Sequence, residues 1–379
     1  MLVGLVGAPN SGNSTFFKAA TLSSAEVANY PFTTIKPNQG VGYVTAECPC
    51  KRLGVDCSPV NSKCDNGVRM IPIRLLDVAG LVPGAHEGRG MGNQFLNDLS
   101  QASGLVHVLD ASGRTNSEGK PDDWDPAKTV EMLEYEVDEW LRGIIAKSYD
   151  KVRKTAQASK VPVERPMAQQ LSGLGITEDD IKQVMKKYKP DEHGFATELR
   201  QLSKPIMIAA NKADLPEAQE KLPALKGPAT LPCSAESELA LREADRQGLI
   251  RYVPGSDSFD VKGLLSEKQE AALGFIRKNV LERFGSTGVQ NCLNRLVFDR
   301  MRMIVVYPVA NITKLASNKG NVLPDAYLVP DGTTLKELAF RIHTQFGENF
   351  IGGLDLGKKK IGADYRLKDG DVVEILFKS

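Results

Sequence analysis

Hydrophobic positions along the chain change period in a repeating order. Leu2 to Val6 is a short apolar run, followed by a Gly-bounded polar stretch and then helical spacing to residue 22. Residues 23 to 40 are polar and poorly periodic, which predicts a loop. Residues 41–44 and 70–76 alternate or run apolar with β-branched side chains, as strands do. A helix is predicted from Asn93 to Ala102, and further buried strands at Leu105–Leu109, Pro205–Ala210 and Ala229–Cys233.

Helical spacing interrupts these strands. Leu133, Val137, Trp140, Leu141, Ile144 and Ile145 share one helix face, and Thr177 is placed as an N-cap three residues before Asp180. Later, Ser266 with Gln269 forms a capping box ahead of the stripe Leu273, Ile276, Val280, Phe284, and Gly285 sits at C′. Thr287 with Gln290 opens the next helix. From about Ile304 the pattern turns to short strands (Val305–Tyr307, Ala326–Val329, Val372–Phe377) around a helix from Leu335 to Phe346 capped by Thr333 or Thr334. The resulting division is 1–125 and 201–240 for one α/β domain, 126–200 for a helical insertion, 241–303 for a helical arm packed on that insertion, and 304–379 for a small α+β module.

A chain of 379 residues can bury a large core in two or three domains. Its net charge of +1 gives no general attraction to nucleic acid or anionic membrane, so such a contact needs a local patch. The run Lys358-Lys359-Lys360 reads as an exposed hairpin tip. No run of 18 apolar residues occurs, and the start lacks the charged region and cleavage site of a leader, which points to the cytoplasm and away from membranes.

The chemistry concentrates at strand ends. Residues 7–15, GAPNSGNST, match the phosphate loop GxxxxGK[ST] except that Asn13 replaces the lysine. Ala8, Pro9, Asn10, Ser11, Gly12, Asn13, Ser14 and Thr15 form the loop and helix start whose backbone N–H groups, absent only at Pro9, would face phosphate. A plain tight turn uses the same glycines. Ser14, Asp77 at the end of a strand and Thr34 in the loop YPFTT would supply oxygens to Mg²⁺, and Gly80 of DVAG would let a backbone N–H approach a γ-phosphate. Leu81 stands where many GTPases carry a water-orienting glutamine. His86, in the glycine-rich loop 84–92, is the nearest candidate for that catalytic work. Asn211-Lys212-Ala213-Asp214 follows the fifth apolar strand. Asp214 can accept hydrogen bonds from guanine N1–H and N2–H₂, a pair that adenine lacks. Asn211 would tie the base to the phosphate loop, the stem of Lys212 would lie over the ring, and in Ser234-Ala235-Glu236 the Ala235 N–H would meet guanine O6.

Six cysteines do not make a disulfide scaffold in a chain this long, but Cys48, Cys50, Cys57 and Cys64 fall within 17 residues. They could surround one Zn²⁺, pair as disulfides or remain free thiols on a hairpin. The spacing C-x-C-x6-C-x6-C is not that of a common zinc knuckle.

Together GAPNSGNST, YPFTT, DVAGLVPGAHEGRGMG, NKAD, SAE and the later YLVPDGTTLKELAFRIHT resemble the Obg-related translation-factor GTPases, and among them the YchF branch, over nearly the whole chain. The resemblance implies a Ras-like P-loop α/β domain with an inserted α-helical domain and a C-terminal α+β, β-grasp-like TGS domain. It also implies Mg²⁺-dependent nucleoside triphosphate hydrolysis, expected here as GTP to GDP, and binding to the ribosome or a subunit; a monomer is expected. The family shares an apolar residue at the position of Leu81. Some YchF relatives have a changed NKxD segment and prefer ATP, whereas Asp214 favours GTP here. Asn13 departs from the family's lysine and predicts weakened affinity and slow turnover. Asn10 suggests K⁺ as a replacement charge. Three functions compete: a slow GTPase, a ribosome- or RNA-binding adaptor with a weak, non-hydrolysing pocket, and a metal sensor built on the cysteines.

Overall fold

A computed structural model describes residues 1–378 other than 22–37, 79, 81–82, 89–91 and 226, with backbone alone at 92–94. In chain order it begins with β1 (Leu2–Val6), α1 (Asn13–Thr21), β2 (Gln39–Glu47), α2 (Pro49–Leu53), β3 (Lys63–Asp65), β4 (Val68–Asp77), α3 (Gly92–Gln101) and β5 (Gly104–Asp110). The helices α4 (Pro126–Ser159), α5 (Glu164–Leu171), α6 (Glu178–Met185) and α7 (His193–Ser203) follow. Next come β6 (Ile206–Asn211), α8 (Pro216–Lys221), β7 (Thr230–Pro232), α9 (Ala235–Arg246), β8 (Ile250–Tyr252) and β9 (Phe259–Val261). α10 (Glu267–Ile276) runs through a π-helical stretch into α11 (Glu282–Phe284), ahead of α12 (Val289–Asn294). The last elements are β10 (Met303–Val309), β11 (Tyr327–Pro330), α13 (Leu335–Ile342), α14 (Thr344–Glu348), β12 (Phe350–Leu354), β13 (Lys360–Ile361) and β14 (Val372–Phe377).

These elements form two compact units. The first takes the described residues of 1–22, 36–40 and 74–296. Its sheet is parallel: β1 lies between β4 and β5, then β5 pairs β6 and β6 pairs β7. β1 and β5 are buried along their whole length, which is why both read as mainly apolar runs, with His107 and Asp110 the polar residues of β5. Leu99, Leu105, Leu133, Val137 and Phe95 fill the layer between the sheet and α3 and α4. Further along, α4 turns Leu141, Ile145 and Val152 into a separate core with α5 to α7, including Ile181, Phe195 and Leu199. The Thr177–Asp180 capping box is formed reciprocally.

The 241–303 region differs from the helical arm read in the sequence. It contains the hairpin β8–β9, whose Ile250, Tyr252 and Phe259 pack with Leu241 of α9 and with Leu273, Ile276 and Val280. This core shares no residue with that of the insertion, because the stripe at 273–280 has nearer apolar partners on α9 and the hairpin. Thr287 does not cap α12. Its hydroxyl donates to buried Glu238 at 2.6 Å, and Gly288 occupies the cap position with φ 83°.

The second unit joins 41–73 to 297–379, so the C-terminal module begins with a segment that the sequence division at 304 left elsewhere. Its five-stranded sheet has the order β11-β10-β14-β12-β13, with β10 and β14 parallel and the other pairs antiparallel. Val306, Val329, Leu335, Leu338 and Val373 form the core. The helix read as continuous to Phe346 breaks at His343, whose φ of −160° is extended, and Thr334, not Thr333, caps α13. The Lys358–Lys360 run stands at the exposed β12–β13 turn.

His107 on β5 is fully buried, and neither ring nitrogen has a hydrogen-bond partner among the described residues. Burial pulls its pKa from 6.5 down to about 3. The unfolded chain therefore binds a proton that the folded chain refuses, and stability present above pH 6.5 is lost as pH falls toward 3. In urea unfolding, wild type should lose about 2–3 kcal/mol more than His107→Leu between pH 7 and pH 4.5.

Candidate functional site

The loop between β1 and α1 turns back on itself through Ser11 N–H, which donates to Ala8 O at 3.2 Å, and Phe16 N–H closes the first turn of α1 onto Gly12 O at 2.9 Å. Two glycines are required. A Cβ on Gly7 would lie 2.5 Å from both Ser11 Oγ and Val108 O, and one on Gly12, at φ 93°, would lie 2.3 Å from Asn211 Nδ2. The loop is thus drawn against β5 and β6, while Ser14 at the start of α1 is exposed. The early N–H groups of a nine-residue helix have no intrahelical acceptor, which makes this end favourable for an anion.

Asp77, at the end of β4, faces this helix start. Ser14 Oγ donates to its Oδ2 at 3.2 Å, and Asn13 Nδ2 donates to its Oδ1 at 2.7 Å and to Leu5 O at 3.2 Å. Asn13 therefore spends its amide N–H groups on the protein, and its buried Oδ1 has no partner among the described residues. Burial raises the Asp77 pKa, opposed by the hydrogen bonds from Ser14 and Asn13. A hydroxyl and a carboxylate oxygen 3.2 Å apart are the hard donors that Mg²⁺ takes. Thr34 and Leu81 lie outside the described residues. Gly80 is exposed, and a Cβ placed on it would approach Pro9 at 3.6 Å.

On the base side, one amide joins three segments. Asn211 Nδ2 donates to Ser11 O at 2.9 Å, and its Oδ1 accepts Ala235 N–H at 2.9 Å. The Ala235 N–H expected at guanine O6 is consequently already occupied. Lys212, at φ 60°, sends Nζ to Asn10 O and to Asp110 Oδ2, both at 2.8 Å, so its stem runs beside the phosphate loop. Asp214 is half-buried and has no hydrogen-bond partner among the described residues, which leaves its carboxylate available. Ser234 caps α9 through Ser237 N–H, Glu236 is exposed, and Asn10 is held by Gly119 O at 3.0 Å. Thr15, on the first turn of α1, is half-buried.

Two residues with no assigned role in the sequence organise this site. Asp110 is buried and accepts from Ser112 N–H and Oγ, from Thr115 Oγ1 and from Lys212. Its position at a strand end, level with Asn211 in the β5–β6 ladder, was the available signal. Glu136 of α4 carried none. It accepts Gly84 N–H at 2.6 Å, His86 N–H at 2.9 Å and the His86 ring Nδ1 at 2.6 Å. Burial would raise its pKa, but these bonds outweigh burial and hold it below the ordinary value. With Nδ1 engaged, His86 has only Nε2 for other work.

Comparison with known proteins gives consistent matches. Residues 2–152 match the model described as 50S ribosome-binding GTPase, 209–311 the Obg-like GTPase YGR210-like, G4 motif-containing domain, and 319–377 the TGS domain. The chain is 46% identical to an uncharacterised GTP-binding protein of Methanocaldococcus jannaschii over 99% of this chain and 98% of that one. It is 27% identical to the ribosome-binding ATPase YchF of Escherichia coli, covering 99% and 98%. The crystal structure of a GTP-binding protein from Pyrococcus horikoshii superposes with a TM-score of 0.78 at 38% identity, covering 100% of both chains. Among the described residues no helix is long and apolar enough to cross a membrane.

Asn211→Ala should leave a carbonyl and an N–H unpaired in the interior. We expect a loss of about 2–4 kcal/mol in nucleotide-free urea unfolding, against less than about 0.5 kcal/mol for exposed Glu236→Ala.

Proposed function

This chain belongs to the YchF branch of the Obg-related GTPases, with a C-terminal TGS domain, and we propose that it binds guanine nucleotide with Mg²⁺ and hydrolyses GTP slowly in association with the ribosome. The observation that carries the reading is the Asn211 amide, which ties Ser11 of the phosphate loop to Ala235 and leaves the carboxylate of the neighbouring Asp214 open. In this arrangement residues 8–15 cradle the phosphates. Asp214 accepts from guanine N1–H and N2–H₂, while an adenine would leave the carboxylate unpaired. Ser14 and Asp77 would hold Mg²⁺, with Thr34 as a further ligand. The ion, when bound, draws charge from the outer phosphate oxygens. His86, oriented by Glu136, is the group that would position water through Nε2. Ribosome binding rests on what the Escherichia coli relative is named for.

Slow turnover follows from Asn13. A lysine would place a positive charge against the developing phosphate charge, whereas Asn13 turns its N–H groups to Asp77 and Leu5. The same observation favours a second reading, an adaptor that binds nucleotide weakly and does not turn it over. Single-turnover hydrolysis separates them. For the GTPase, wild type hydrolyses measurably and Asn13→Lys gains roughly tenfold to a thousandfold in nucleotide affinity together with a faster rate. Absence of hydrolysis in both proteins selects the adaptor.

Base selection has its own test in calorimetry. GDP should bind at least about a hundredfold more tightly than ADP, and Asp214→Asn should remove that preference by exchanging one acceptor for a donor. Equal affinities for GDP and ADP in wild type would end the guanine reading.

A further inference from the structure

Away from the nucleotide site, within the second unit, the thiols of Cys48, Cys50, Cys57 and Cys64 converge. Their sulfurs all lie within 4.8 Å of one another, with Cys48 to Cys57 at 4.0 Å and Cys50 to Cys64 at 3.9 Å. A tetrahedral zinc–thiolate centre with bonds of about 2.3 Å requires sulfurs roughly 3.8 Å apart. The cluster thus has the dimensions of a filled site and needs only a small contraction.

Local backbone explains how an unusual spacing reaches this shape. Cys48 is the N-cap of α2, with Pro49 at N1, and Cys50 lies in the first turn. Gly54, left-handed at φ 62°, ends the helix, and Val55 N–H returns to Cys50 O at 3.1 Å. Asn66 and Gly67, both at positive φ, reverse the chain between β3 and β4, and Cys48 N–H donates to Gly67 O at 2.8 Å. That closure brings Cys64 on β3 back to the start of α2, while Cys57 enters from the connecting loop.

A second observation independently calls for negative charge here. Arg69 is opposite Cys64 in the β3–β4 ladder, on the same face of the pair. Its side chain is fully buried. Nη2 donates to Leu323 O, the guanidinium stands 5.4 Å from the Tyr307 ring, and Nε and Nη1 have no hydrogen-bond partner among the described residues. A buried cation with two such unmet nitrogens is costly unless an anion lies close. Asp325 feels its charge but makes no ion pair with it among the described residues. Four thiolates around a divalent ion carry two net negative charges, which supplies the missing counterpart.

We propose that these four cysteines bind one Zn²⁺ as a structural tetrathiolate site balanced by Arg69. Each thiol gives up its proton to solvent, four Zn–S bonds form, and nothing is oxidised or reduced. The site fixes the loop between Cys57 and Cys64, which is hydrogen-bonded to 322–326. Ser58 N–H donates to Val322 O at 2.9 Å, Val60 N–H to Pro324 O at 2.6 Å, and the Asn61 amide bonds Ala326 N–H and O at 2.9 and 3.1 Å. Zinc therefore fastens the segment that joins α2 to β3 onto residues 322–326 of the same unit. The proposal does not depend on nucleotide chemistry.

The test uses the full chain, purified under reducing conditions without chelator. Elemental analysis should find about one zinc per chain. After the metal is stripped, Co²⁺ should restore the intense visible and charge-transfer absorption of tetrahedral thiolate, saturating at one equivalent and bleached by Zn²⁺. Hydrogen exchange at 322–326 should accelerate at least about tenfold in the stripped chain and return with Zn²⁺. Cys57→Ser and Cys64→Ser should each lose the cobalt spectrum. The proposal is overturned if reduced, folded wild type takes up no Co²⁺, or if its spectrum is that of an oxygen-coordinated ion. It is also overturned if the native chain carries disulfides, seen as a mass lower by two hydrogens per pair.

Discussion

The nucleotide end of the first unit hangs on one carboxamide. Asn211 can serve both Ser11 O and Ala235 N–H only because an amide carries a donor and an acceptor on one short, planar group. A carboxylate could not donate and an amine could not accept. Its demand for space in turn explains Gly12, whose Cβ would collide with Nδ2. Three segments far apart in the chain are thereby held as one surface, and the neighbouring Lys212 reinforces it through Asn10 O and Asp110.

Asn13 shows how a single replacement reorganises rather than empties a position. Its side chain is too short to project past the loop, and the nearest acceptors, Asp77 and the Leu5 carbonyl, capture it. The helix start of α1 and the oxygens of Ser14 and Asp77 lie together, while the residue at the lysine position of the motif faces the protein.

Where the sequence was legible, local rules and burial agreed. β1 and β5 are buried throughout because both faces are covered, and the capping boxes at Thr177, Ser266 and Thr334 form reciprocally. The NKAD segment was readable because it follows a buried strand. What escaped depended on tertiary partners. Glu136 lies on a helix of many acids, and only the fold shows that it accepts two backbone N–H groups from residues fifty positions away. Thr287 has the spacing of a cap, but buried Glu238 outbids the helix for its hydroxyl. The short β8–β9 hairpin has too few residues to show a period, and the grouping of 41–73 with the C-terminal module rests on long-range hydrogen bonds that spacing does not encode.

α4 deserves a mechanical description. It is an unbroken helix of 34 residues, about 50 Å long. Near its start Leu133, Glu136 and Val137 grip the sheet and the Gly84–His86 loop, and its far half is the spine of the helical insertion. One continuous helix thus carries both the acceptor for the Gly84–His86 loop and the core side chains of the insertion.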